Sequence, residues 1–122
     1  MKMMVVDDSN VIRTRITRIA ADPRLSSVEI VGQAKNGVEA LTVMQWYSPS
    51  LVTMDLTMPE MDGIACIEKL QRMDPQIRIL VVSALSDKTT AIAALKKGAQ
   101  GFLHKPFSDE QLVNALLELI KE

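Results

Sequence analysis

Five short apolar runs, each followed by a stretch with helical spacing, limit the folds open to this chain more than any other feature. The runs are Met3 to Val6, Val28 to Ala34, Leu51 to Met54, Ile77 to Val82 and Gly101 to His104. Most are apolar on both faces, as buried strands are. Between them the apolar residues recur every three or four positions. Ile12, Ile16, Ile19 and Ala20 share one face of a first helix, and Val38, Leu41, Met44 and Tyr47 one face of a second. Ile64, Ile67 and Leu70 serve a third, Thr89 to Lys97 makes a short Ala-rich fourth, and Leu112, Ala115, Leu116, Leu119 and Ile120 give the last a continuous apolar face. Strands without a polar face need cover on both sides, and the alternation supplies it: an α/β parallel sheet with helices on both faces and right-handed crossovers. All strand C-terminal ends then lie along one edge.

The punctuation agrees with that reading. Asp22-Pro23, Asn36-Gly37, Ser48-Pro49-Ser50 and Asp74-Pro75 interrupt the helical patterns, Gly98 is placed as a C-terminal cap, and Ser108 with Gln111 forms a capping box. Ser9 or Asp8 can cap the first helix. At 122 residues, 48% of them apolar, the chain is long enough for one domain over residues 1–122 with a core that needs no disulfide or structural metal. A net charge of −1 with mixed signs argues against a basic nucleic-acid-binding surface. The single cysteine, Cys66, forms no internal disulfide, and no run is long enough to span a membrane, so a cytoplasmic protein without membrane insertion, linker or tail is expected.

Leu51 to Gly63, LVTMDLTMPEMDG, is the stretch the rest must serve. It delivers a carboxylate, Asp55, at the tip of a buried strand. Turn chemistry follows: Pro59 fixes its own φ, and Gly63 supplies a flexible start for the third helix. In parallel α/β sheets, ligands bind at this edge. The same edge receives Asp7 and Asp8 from the first strand, Ser83 from the fourth and Lys105 from the fifth. Three carboxylates on one rim repel unless a cation sits among them. Oxygen donors without a His or Cys cluster suit Mg²⁺ rather than zinc, with Asp8 and Asp55 as direct ligands, Asp7 through water and the Thr57 backbone carbonyl available. A carboxylate beside Mg²⁺, a hydroxyl and an ammonium is a site for accepting a phosphoryl group: Asp55 as nucleophile, Lys105 neutralising charge and Ser83 donating a hydrogen bond. Without phosphate, Lys105 is expected to pair with Asp55.

Four separated motifs, VVDDS, MDLTMPEMDG, VVSA and HKPF, stand in an order that resembles a two-component response-regulator receiver domain over essentially the whole chain. The resemblance implies a flavodoxin-like doubly wound (βα)5 parallel sheet with strand order 2-1-3-4-5. It places the phosphoacceptor on Asp55, the metal ligands on Asp7, Asp8, Asp55 and the Thr57 carbonyl, and the phosphoryl-binding lysine on Lys105. The switch pair falls on Ser83 and Phe102, and the Lys105-Pro106 peptide is expected to be cis. Many members carry Tyr at the second switch position, so Phe102 lacks a hydroxyl an output partner could read. The surface the switch would remodel is the fourth helix, fifth strand and fifth helix.

VDDSNVIR and VTMDLTMPEMDGI look most similar to single-domain chemotaxis regulators. That implies a sensor histidine kinase as donor, a flagellar motor switch protein as output partner and a phosphatase as a further partner. The only chemistry implied is the chain's own phosphorylation and dephosphorylation, so no separate enzyme activity is expected. The alternatives are a phosphorelay intermediate that passes phosphoryl to a histidine phosphotransfer domain, or a receiver excised from a larger regulator. A phosphohydrolase would need a second Asp where Thr57 stands, and a flavin module a phosphate-cradling loop where Asp7 and Asp8 stand.

Other residues are given plainer roles. His104 is read as surface, Cys66 as a small hydrophobe, Trp46 and Tyr47 as packing, and the Met residues as scattered core and loop. Arg13, Arg15 and Arg18 read as a solvated basic face. Thr57 and Leu85 lie near the expected phosphoryl position.

Overall fold

The computed structural model describes residues 1–85 and 87–121. In chain order the elements are β1 (Lys2–Val6), α1 (Asn10–Ile19), a 3-10 turn (Pro23–Leu25), β2 (Glu29–Ala34), α2 (Gly37–Tyr47), β3 (Leu51–Met54), α3 (Gly63–Met73), β4 (Arg78–Ser83), α4 (Lys88–Lys97), β5 (Gly101–His104) and α5 (Asp109–Ile120). Every strand pair is parallel and the order is β2-β1-β3-β4-β5, the flavodoxin-like doubly wound sheet.

Period-two alternation divides the strand residues between two cores. Met4, Val6, Val52, Met54, Ile79 and Val81 face one side, where Ala40 and Met44 of α2, Cys66, Ile67 and Leu70 of α3, and Ala94 of α4 cover them. Met3, Val5, Leu51, Leu80 and Val82 face the other and meet Ile16 and Ile19 of α1 with Leu112, Val113 and Leu116 of α5. The sheet is therefore closed on both faces and its free edge is the row of strand ends. Each helix starts on a side-chain cap: Ser9, Asn36, Asp62 and Asp87 accept from the third residue on, and Ser108 with Gln111 completes the capping box. Among the described residues no helix is long and apolar enough to cross a membrane.

Helix α2 corrects the sequence reading. Val38 and Tyr47, assigned inward, are 49% and 52% exposed, and Trp46, assigned to packing, is 77% exposed. The inward row is Gly37, Ala40 and Met44, flanked by Leu41 and Val43. Small residues at the first two positions let the helix sit close, and Gly37 has Met61 packed where a Cβ would stand. The helix rotates toward its small side, which a count of apolar residues does not foresee. Strand bounds shift slightly: β2 starts at Glu29, and β4 runs from Arg78 to include Ser83.

Gly63 differs in kind from the expectation. Its φ is not in the left-handed region, and a Cβ there would lie 2.3 Å from the Asp55 carbonyl oxygen and 2.6 Å from the Leu56 Cα. Gly63 also donates its N–H to the Leu56 carbonyl at 3.0 Å. Its role is close approach of α3 to the backbone that carries Asp55, not flexibility. Gly63→Ala should therefore destabilise the fold by about 1–3 kcal/mol, the usual range for overpacking against a backbone that cannot give way. Urea unfolding of the variant checks this, and an unchanged midpoint would show that the helix start simply shifts.

Candidate functional site

The rim is built by the ladder itself. Asp55 donates its N–H to the Val6 carbonyl at 2.9 Å, and Asp7 donates its own to the Ala34 carbonyl at 3.0 Å. Each aspartate thus sits one residue beyond the strand that positions it, with the two side by side. Asp7 is 1% and Asp55 4% exposed, while Asp8 is exposed. One carboxylate oxygen from each of Asp7, Asp8 and Asp55 lies within 4.8 Å of the others.

Lys105 closes the group from β5. Its Nζ donates to Asp7 Oδ2 at 2.7 Å and stands 3.6 Å from Asp55 Oδ1. The pairing with Asp55 expected from the sequence is present, as the longer of two ion pairs, and the shorter one is with Asp7. The reason lies in what holds Asp7: the Ser9 N–H donates to its Oδ1 at 2.9 Å, which orients the second oxygen toward the lysine. Lys105 is itself pinned by its N–H donating to the Ser83 carbonyl at 2.9 Å, and the Lys105-Pro106 peptide is cis.

Ser83 is fully buried, and its Oγ accepts from the Leu85 N–H at 3.1 Å. With that lone pair engaged, its hydroxyl hydrogen remains free to donate. The Thr57 N–H reaches Asp55 Oδ1 at 3.4 Å, and Thr57 itself is exposed. Phe102 is half-buried against the α2–α3–α4 core, its ring 4.9 Å from that of the exposed His104 and tilted by 51°. Cys66, on α3, is buried, and burial pushes its thiol up to about 12, in keeping with a small hydrophobe.

Three carboxylates face one ammonium. Burial above all, and then the Asp7 charge, push the Asp55 carboxyl from its ordinary 3.8 to about 6, against the opposing pull of Lys105 and of the Thr57 amide. An unbalanced, all-oxygen cluster of this kind, with Asp8 open to solvent, fits a hard divalent cation such as Mg²⁺. Among the described residues neither a His nor a Cys belongs to the cluster.

Two contacts escaped the sequence reading. Arg13 Nη1 donates to the Asp7 carbonyl at 2.6 Å, and Arg15 Nη2 donates to the Phe107 carbonyl at 2.6 Å. Neither residue is merely a solvated face. No spacing rule announces a side chain that bonds a distant backbone carbonyl.

The chain belongs to the response regulator receiver domain family, whose model matches residues 3–117. It is 36% identical over 121 residues to the chemotaxis protein CheY of Listeria monocytogenes, covering 99% of both chains. It is 37% identical over 120 residues to the CheY of Thermotoga maritima, covering 98% of both. The solved CheX–CheY–BeF3–Mg²⁺ complex from Borrelia burgdorferi contains a chain that superimposes with a TM-score of 0.90 at 28% identity, over all of this chain and 90% of that one. The chain is thus a receiver domain of the CheY-like kind, a component of two-component signal transduction.

The raised Asp55 pKa has a stability consequence. The folded state holds this proton more tightly than the unfolded chain, so stability attributable to Asp55 falls as pH rises from about 4 to about 6 and stays lost above that. With divalent cations chelated, Asp55→Asn should be more stable than the wild type near neutral pH by about 1–2 kcal/mol, and the gap should close near pH 4. Thermal unfolding of both proteins across that range measures the difference, and a less stable variant at neutral pH would contradict the assignment of a strained carboxylate.

Proposed function

We propose that the chain, a single receiver domain over residues 1–122, is a cytoplasmic phosphorylation-controlled switch that accepts a phosphoryl group on Asp55 from a sensor histidine kinase. The observation that carries the reading is the buried Asp7–Asp55 pair, joined by Asp8 and closed by Lys105, on the C-terminal rim of a parallel sheet. Asp7, Asp8, Asp55 and the Thr57 carbonyl are the residues to hold Mg²⁺, which when bound offsets negative charge on the phosphoryl oxygens.

A carboxylate oxygen of Asp55 attacks phosphorus, an acyl phosphate P–O bond forms, and the P–N bond to the donor histidine breaks with its electron pair leaving on the imidazole. Lys105, already within 3.6 Å of Asp55, moves its ammonium onto a phosphoryl oxygen. Ser83 donates its free hydroxyl hydrogen to another, and Phe102 turns into the space released. The chemistry is confined to the chain's own phosphorylation and dephosphorylation.

The readout surface is α4, β5 and α5. Ile92 and Leu95 of α4 are exposed, and a groove of about 410 Å³ between β5 and α5 is lined by Gly101, Phe102, Ala115 and Leu119. Similarity to the CheY proteins over nearly their full length supports chemotaxis as the process, with a flagellar motor switch protein as the partner and a phosphatase as the off-signal. The Borrelia CheY was solved with Mg²⁺, BeF3 and CheX.

Incubation with acetyl phosphate and Mg²⁺ should add one phosphoryl group by intact mass, and Asp55→Asn should gain none. Labelling of that variant at the wild-type rate would reject Asp55 as acceptor. A motor-switch peptide should bind the phosphorylated form more tightly, whereas transfer to a histidine phosphotransfer domain without such binding would favour a relay. Asp8→Ala should weaken Mg²⁺ binding by roughly tenfold or more, since a direct ligand is lost. Unchanged affinity in a calorimetric titration would place the metal elsewhere.

A further inference from the structure

We infer that Arg15 is a positioning residue for Lys105, acting from α1 across to the loop between β5 and α5; the functional part of this inference rests on the role proposed for Lys105. Arg15 makes three contacts with that loop. Its Nη2 donates to the Phe107 carbonyl at 2.6 Å and to Asp109 Oδ1 at 3.1 Å, and its guanidinium carbon lies 4.5 Å from the centroid of the Phe107 ring. The Asp109 carboxylate is largely exposed, so that ion pair adds little. The carbonyl and the ring carry the weight, because Phe107 is 4% exposed and packs in the same core as Ile16 and Leu112.

Phe107 stands two residues beyond Lys105. The Lys105 backbone is therefore held from both sides: its own N–H is bound to the Ser83 carbonyl of β4, and the chain after it is gripped from α1. Lys105 has a long flexible stem, so where its ammonium rests depends on where its backbone is fixed. The same helix holds the other partner of the pair, since Arg13 donates to the Asp7 carbonyl at 2.6 Å and to Asn10 Oδ1 at 3.2 Å. Residues two apart on a helix project in different directions, which lets Arg13 reach the Asp7 backbone while Arg15 reaches the loop two residues beyond Lys105. A planar fork that bonds a carbonyl while lying over a ring is a guanidinium's property, and an ammonium cannot reproduce it.

The test uses the full chain as wild type, Arg15→Met, Arg15→Lys, Lys105→Met and the Arg15→Met/Lys105→Met double variant. The first readout needs no phosphoryl donor: the Nζ resonance of Lys105 in lysine-labelled protein should move toward that of free lysine in Arg15→Met and, in part, in Arg15→Lys. The second is phosphoryl uptake from acetyl phosphate at saturating Mg²⁺, which should slow by about tenfold in Arg15→Met, the scale on which small misplacements of a reacting group act. Calorimetric Mg²⁺ affinity should be unchanged, and Arg15→Met should have no further effect once Lys105 is Met. An unmoved Lys105 resonance in both Arg15 variants would overturn the inference. So would a rate loss that persists undiminished in the Lys105→Met background, because that would mark Arg15 as a structural staple between α1 and α5. A wild type that takes up no phosphoryl would instead reject the proposed function, and the Lys105 resonance would still decide the positioning role.

Discussion

Two aspartates forced side by side by adjacent parallel strands set the terms for the rest of this structure. The pairing of β1 with β3 continues one step past the strands, so the Asp55 N–H reaches the Val6 carbonyl while Asp7 extends from β1 itself. The backbone of neither aspartate can move off without breaking the ladder, and both side chains are nearly buried. The sheet therefore stores an electrostatic conflict at its edge. Burial and like charge hold the Asp55 carboxyl near 6, and among the described residues the ammonium paired with these acids is that of Lys105. Such a site is poised for whatever brings positive charge to it.

The surrounding parts can be understood as what holds that conflict in place. Gly63 lets the first turn of α3 press against the backbone carrying Asp55. The Ser9 N–H orients one oxygen of Asp7, and Lys105 takes the other. Ser83 is linked twice to neighbouring chain, accepting from the Lys105 N–H at its carbonyl and from the Leu85 N–H at its hydroxyl. Apart from the Lys105–Asp7 pair these are contacts to the backbone, which fix positions more firmly than pairs of flexible surface charges do. Rigidity around an unbalanced charge is what electrostatic preorganisation requires.

The architecture was legible because it rests on short-range pattern. Apolar runs of four to seven residues, proline and glycine breaks and side-chain caps determine where strands and helices fall, and parallel pairing then places every strand end on one edge. The chain-order positions of Asp7, Asp8, Asp55, Ser83 and Lys105 followed from that alone; the structure brings the three carboxylates and the Lys105 ammonium together, and Ser83 ends β4. What was not legible depends on distance between elements. Lys105 and Asp7 are 98 residues apart, and which carboxylate the ammonium prefers turns on an amide from Ser9. The rotation of α2 that exposes Val38, Trp46 and Tyr47 depends on how closely Gly37 and Ala40 can approach their neighbours. Arg13 and Arg15 looked like solvated surface because a carbonyl acceptor leaves no trace in side-chain sequence.

On the function proposed above, a phosphoryl group and a divalent cation together resolve the charge conflict at Asp55. A high-resolution structure of the protein crystallised with Mg²⁺ and beryllium fluoride, a mimic of the phosphoryl group, tests it most directly. The expected result is the fluoride group on Asp55, the cation among Asp7, Asp8 and Asp55, the Lys105 ammonium displaced from Asp7 onto the bound group, and the Ser83 hydroxyl donating to it. Both ligands absent from the rim at saturating concentration, or Lys105 still on Asp7 with the group bound, would contradict it.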